Sequence, residues 1–173
     1  SPPTVPPWRA AWRARQRVSK EKQMITLSKQ SLARLGGVHP SLVKVVHAAS
    51  IMAEPHEDFL VIEGVRTREG MMINYGKGRS AAQLAKFGIP ASYARPAAKK
   101  VTWLSNPFMS NHRLHEDGFG HAVDLGPYPL NWNDIAGFVE LAALMKRAAA
   151  SVGVKISCGA DWSKKDYPHF ELA

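Results

Sequence analysis

The sequence predicts an α+β domain. Apolar residues recur at helical spacing over residues 42–49 and 135–145, while short apolar or alternating runs at 59–63, 120–125 and 154–158 read as strands. Helices and strands are interleaved along the chain, with no internal repeat and no linker behind residue 24. At 173 residues the chain is long enough for one domain with a real core.

Residues 1–23 read as an appendage to a domain over 24–173. Pro2, Pro3, Pro6 and Pro7 forbid helix or central strand, and Arg9, Arg13, Arg15, Arg17, Lys20 and Lys22 against Glu21 give a net charge of +5. Trp8 and Trp12 are four apart and would share one face of a helix, an arrangement suited to contact with an anionic membrane. The plainer reading is a flexible basic tail.

Leu27, Leu32 and Leu35 partly fit a helical stripe that Gly36-Gly37 ends. His39-Pro40-Ser41 opens a second helix, with Leu42, Val45, Val46 and Ala49 on its apolar face. Phe59-Leu60-Val61-Ile62-Glu63 is a buried strand, and Arg66 just beyond it is placed to be held rigidly over a site. Residues 68–75 read as helix and 81–100 as an irregular surface connection with one short helix. Val101-Thr102-Trp103-Leu104 is either a strand or an approach to the site.

The clearest helix runs from Asp134 to Ala150, capped by Asn131 or Asn133 and stopped by Gly153. Ile135, Phe138, Val139, Leu141, Ala142 and Met145 form its apolar face. Val154, Ile156 and Cys158 share one face of a strand, and the last strand ends the chain.

Composition excludes several classes. No apolar run approaches the ~20 residues of a membrane span, and the first residues lack the apolar core of a signal peptide. Cys158 is the only cysteine, so an intrachain disulfide and a multi-thiolate zinc site are both excluded. The net charge of +9 suits an anionic partner, but no nucleic-acid reading motif accompanies it, and nucleic acid is not expected as a partner.

The chemistry concentrates in two segments. Ser110-Asn111-His112 precedes Gly120-His121-Ala122-Val123-Asp124-Leu125, and Asp166-Tyr167-Pro168-His169-Phe170-Glu171-Leu172 lies near the end. Two histidines and a carboxylate are the donors of a hydrolytic zinc site, and a further carboxylate is its general base. Alternation in a strand turns His121 away from Asp124. His112 and His115 remain equal candidates by spacing. Pro168 stiffens the approach to His169, whose ring Asp166 or Glu171 could orient.

These residues resemble the zinc-dependent peptidoglycan peptidases. The group comprises D-alanyl-D-alanine carboxypeptidases, VanX/VanY dipeptidases and carboxypeptidases, and phage L-alanyl-D-glutamate endopeptidases. Ser110-x-His112, Gly120-x-Ala122-x-Asp124 and Asp166-x-x-His169 carry the likeness, with Asp161-Trp162 beside the last. Glu63-Gly64-Val65-Arg66-Thr67, Tyr75-Gly76-Lys77-Gly78-Arg79-Ser80 and the stretch from Leu27 to Val43 look like the phage endolysin branch. The resemblance implies a small antiparallel sheet with flanking helices, related to the hedgehog and DD-peptidase folds. It implies zinc on His112, Asp124 and His169, Asp166 as catalytic base, and Arg66 on the substrate or the oxyanion.

Two departures stand out. The family spaces its ligand histidine two residues from the glycine of Gly-x-Ala-x-Asp, whereas Arg113 to Phe119 intervene here. A glutamine common after the Arg-Thr pair is replaced by Gly70-Met71. The Ser110-x-His112 pattern favours His112 over His115.

The expected activity is hydrolysis of a peptidoglycan stem-peptide bond, L-alanyl-D-glutamate first, by a monomeric endolysin. It would be made in the host cytoplasm and act on the bacterial cell wall. A D-Ala-D-Ala carboxypeptidase, and a non-catalytic zinc domain that only binds the wall, are the alternatives.

Overall fold

The structure, a computed structural model, describes residues 25–173. The expected tail and Met24 lie outside the described residues. Helices α1 (Lys29–Arg34) and α2 (Pro40–Met52) precede strand β1 (Phe59–Glu63); α3 (Arg68–Gly76) and α4 (Ala81–Ala85) follow. Then come β2 (Ala122–Pro127), the long helix α5 (Ile135–Val152), β3 (Ile156–Cys158) and β4 (His169–Leu172). The strands form one antiparallel sheet in the order β1-β2-β4-β3.

The two faces of this sheet have different tasks. Val61, Val123, Leu125 and Phe170 point into a core shared with Leu42, Val45 and Val46 of α2 and Leu141, Leu144 and Met145 of α5. Residues alternating with these point the other way. On that second face the register sets Glu63 against Asp124, after an irregularity between Val61 and Glu63, and Asp124 against His169. Three adjacent strands thereby present Glu63, Asp124 and His169 in a row.

The ends of α5 are local chemistry. Asp134 accepts from the Gly137 amide, and Gly153 closes the helix in the left-handed region at φ 69°. The cap is therefore Asp134, not Asn131 or Asn133; Asn131 instead accepts from the Asn133 amide within the preceding turn. Ile135 and Val139, expected on the buried face, are 44% and 51% exposed. The apolar stripe of α5 is wider than the contact it makes, and burial follows Leu144, Ala148 and Ala149 instead.

Residues 81–100 hold α4 and a short 3-10 turn at Ala91–Tyr93, and they cover a second small core of Tyr75, Leu84 and Ile89. Arg79 is buried over the Tyr75 ring and donates to the carbonyls of Tyr75 (3.0 Å) and Thr102 (2.7 Å). Val101 to Leu104 is not a strand: it joins no sheet, and Val101, Trp103 and Leu104 are exposed.

Candidate active site

The first histidine is placed by backbone contacts on both sides. His112 follows the turn at Pro107–Met109, its amide donates to Ser110 Oγ (3.2 Å), and its carbonyl accepts from the Arg66 amide (2.9 Å). Its ring is only 2% exposed, with Nδ1 2.8 Å from the Gly64 carbonyl. Residue 64 has no side chain, and its backbone lies directly against the end of α1. A Cβ there would collide with the Arg34 carbonyl.

The second half is placed by the sheet. Asp124 and His169 are register partners on β2 and β4. His169 Nδ1 lies 3.3 Å and His112 Nε2 3.1 Å from Asp124 Oδ1. The opposite nitrogen of His169, Nε2, is 2.6 Å from Glu171 Oε2. The Trp162 ring packs against His169 with centroids 5.1 Å apart, its own Nε1 donating to Ser157 Oγ.

These contacts decide which atoms are free. A carbonyl only accepts, so His112 Nδ1 carries a proton and a neutral ring presents the Nε2 lone pair. Glu171 likewise takes the Nε2 proton of His169, leaving the Nδ1 lone pair. Two lone pairs and a carboxylate oxygen thus converge, all within 4.8 Å of one another. Only a cation or added protons can satisfy three acceptors facing each other. The group could hold a metal ion. Without one, burial works against charging His169, but Asp124 and Glu171 raise its pKa to about 9. Burial also opposes the Asp124 charge, yet His112 and His169 hold its carboxyl well below the usual range.

Asp166 stands at the mouth of this group. Its Oδ2 is 3.9 Å from His169 Nδ1, and its side chain is 52% exposed. Burial of the rest and the nearby Asp124 push its carboxyl up, against the pull of His169, His112 and Arg66. The turn carrying it closes on Gly159, whose carbonyl accepts from the Asp166 amide (3.0 Å); a Cβ on Gly159 would strike the Asp166 carbonyl.

Arg66 borders the group from the segment just past β1. Glu63 accepts from its Nε (2.8 Å) and Nη2 (2.7 Å), and Nη1 reaches Ser110 Oγ at 3.4 Å. Nη2 remains 3.9 Å from Asp124 Oδ2. The result is a fixed guanidinium beside the three converging donor groups.

With that geometry in view, likeness to known proteins is informative. Residues 24–87 and 92–172 match the family model described as phage L-alanyl-D-glutamate peptidase. The chain belongs to the phage L-alanyl-D-glutamate peptidase family. It is 27% identical over 147 residues to the L-alanyl-D-glutamate peptidase of Escherichia phage T5, covering 83% of this chain and 86% of that one. The crystal structure of the Serratia marcescens L-Ala D-Glu endopeptidase ChiX is similar with a TM-score of 0.54 and 25% identity, over 87% of this chain and 92% of that one.

Among the site residues read from the sequence of this peptidase, His112, Asp124 and His169 come together, with Asp166 and Arg66 beside them. His115 does not join them. Its ring stacks on His121 at 3.7 Å, and its nitrogens face Arg113, Phe119 and Asn111. His121 points to Asp117, 2.7 Å away. Asp161 pairs with Lys146 of α5 at 2.8 Å. Of the two carboxylates that could orient His169, Glu171 is the one in hydrogen-bonding contact.

Sequence reasoning missed Glu63 as the clamp on Arg66 and the Gly64 carbonyl as the anchor of His112. The first had a signal, an acid three residues before the arginine. A backbone carbonyl leaves none.

Proposed function

We propose that this chain is a zinc endopeptidase that hydrolyses the L-alanyl-D-glutamate bond of bacterial peptidoglycan stem peptides, as an endolysin acting on the cell wall. The observation that carries the reading is the convergence of two pinned imidazole lone pairs on one partly buried carboxylate. Two His and one Asp form a three-ligand donor set of the kind that leaves a catalytic zinc an open position. His112 through Nε2, His169 through Nδ1 and Asp124 through its carboxylate would hold the ion. Bound there, zinc supplies Lewis-acid activation of a water and of the scissile carbonyl.

The chain's own residues supply the rest. Asp166 has a raised pKa and faces the ligand side, which suits it to take a proton from the attacking water and return it to the leaving amine. Arg66, fixed by Glu63, meets the negative charge that develops on the carbonyl oxygen or the carboxylate that D-glutamate contributes. The net +4 left after subtracting the tail's +5 from +9 favours an acidic substrate in the same direction.

We assign the working form to the monomer, made in the host cytoplasm. The Trp/Arg tail adds contact with anionic membrane. Lysis of intact Gram-negative cells by the full chain and by a chain lacking residues 1–23 measures the tail's part; equal lysis dismisses it.

Zinc content and peptide release test the site together. One zinc per chain and release of peptides from purified peptidoglycan are expected of the wild type, with both lost in Asp124→Ala. A wild type that binds zinc but releases nothing would overturn the enzymatic reading in favour of a wall-binding domain.

A further inference from the structure

Two separate segments bring the histidines of the donor group together. One runs from Val101 to His112, and Arg66 joins it through Ser110 Oγ at 3.4 Å. The other runs from Trp162, whose ring packs on His169, to Asp166. The two segments meet again at an exposed rim, where the Lys164 ammonium lies over the Trp103 ring, 3.4 Å from its centroid. Trp103 is 57% exposed, and Lys164 is exposed as well. The ring sits on an anchored stretch, because the Thr102 carbonyl beside it accepts from buried Arg79 at 2.7 Å.

The charges around the site are unevenly matched. Glu63 occupies Nε and Nη2 of Arg66, so the two-pronged edge that a carboxylate prefers is already taken there. Lys165 donates to the Ala160 carbonyl at 2.9 Å, and Lys146 pairs with Asp161. Lys164 makes no salt bridge among the described residues. An aromatic face attracts an ammonium without neutralising it, and the donors turned away from the ring remain open to an anion. A D-glutamate residue inside a peptide uses one carboxyl in the bond to its successor and keeps the other free. We propose that Lys164, backed by the Trp103 ring, binds that free carboxylate and leaves Arg66 to the charge that develops on the scissile carbonyl. Lys164 is then a specificity-determining residue: it stands two positions before Asp166 on a long flexible stem, and the substrate residue it selects is the one whose amine leaves.

The inference rests on the peptidase reading, and its test keeps the two apart. Steady-state kinetics is measured on two synthetic L-alanyl-D-glutamyl peptides that differ only at the free carboxyl, one an acid and the other its amide. For the wild type, amidation is expected to raise KM about 5-fold with kcat little changed, the scale of a solvent-exposed charge pair. Lys164→Met keeps a stem to lie on Trp103 but carries no charge. It should raise KM about 5-fold on the acid and leave the amide unaffected, so that the variant no longer tells the two apart. A lysine that only ties the two segments together would raise KM alike for both peptides.

A Lys164→Met enzyme that keeps the wild-type preference for the acid, or that loses equally on both peptides, would overturn the proposal. Trp103→Phe should keep the preference and Trp103→Leu should reduce it; an undiminished preference in Trp103→Leu would overturn the part given to the ring. If the wild type cleaves neither peptide, the peptidase reading fails on these substrates, and the same comparison is made by calorimetric binding. Selectivity for the acid that Lys164→Met abolishes supports the carboxylate site, and equal binding of acid and amide by the wild type overturns it.

Discussion

Glu63 holds Arg66 in a two-point grip, accepting from Nε at 2.8 Å and from Nη2 at 2.7 Å. Because Glu63 is also the register neighbour of Asp124, the sheet that pairs Asp124 with His169 also sets the cation beside them. Arg66→Ala should lower kcat/KM about 10²–10³-fold with zinc content unchanged, the usual loss for a group that meets transition-state charge. Glu63→Ala should cost about 10-fold, because the guanidinium survives but swings. Arg66→Lys should not restore activity, since an ammonium lacks the planar fork that Glu63 grips. Steady-state kinetics beside metal analysis checks all three.

Asp166 should behave as a base whose protonation shuts the enzyme off. Burial and Asp124 raise its carboxyl, while His169, His112 and Arg66 pull it down. Its working form is the carboxylate, so activity falls as the pH drops through its pKa. Removing a pulling charge with Arg66→Gln should therefore move the acidic limb of the pH–kcat/KM profile to higher pH. A limb that stays or moves down would assign it to another group. Asp166→Asn should keep zinc and lower kcat about 10²–10⁴-fold.

The metal-free protein should lose stability as the solution becomes alkaline. His169 has a folded-state pKa raised from 6.5 to about 9. The unfolded chain binds this proton more weakly, so the stabilisation is fully present below 6.5 and is lost as pH rises through about 9. The melting temperature of chelator-treated protein should fall across that window. Asp124→Asn, which removes one of the two acids raising His169, should flatten the fall.

Gly64→Ala should damage both fold and site. Its Cβ would collide with the Arg34 carbonyl and press on Val38, which overpacks a rigid backbone contact. The expected cost is about 1–3 kcal/mol in denaturant unfolding. The Gly64 carbonyl that fixes His112 moves with it, so zinc affinity should drop as well. The surface substitution Gly88→Ala meets no neighbouring atoms but forces a left-handed residue, and should leave zinc affinity intact.

Much of this site was legible in the sequence because its residues sit in strands with a two-residue period. Alternation turns His121 away from Asp124 and the Pro168 turn stiffens the approach to His169, but it was the resemblance that implied Asp124 and His169 as ligands. His112 could not be separated from His115 by spacing, because the choice depends on where the Gly64 carbonyl lies, 48 residues away in the chain. The resemblance chose His112 before the contacts were visible. Helix α5 was readable, but its exposed Ile135 and Val139 were not: an apolar stripe shows which residues could be buried, not how much partner surface arrives to bury them. Val101 to Leu104 has strand-like composition and no sheet edge to join, a fact that only the topology contains.

The most direct test of the central claim is mass spectrometry of purified peptidoglycan digested by the zinc-loaded protein, with Asp124→Ala as control. Hydrolysis between L-alanine and D-glutamate predicts free stem peptides that begin with D-glutamate, and glycan strands that keep only L-alanine. Loss of terminal D-alanine alone, with every stem still attached through D-glutamate, would contradict it.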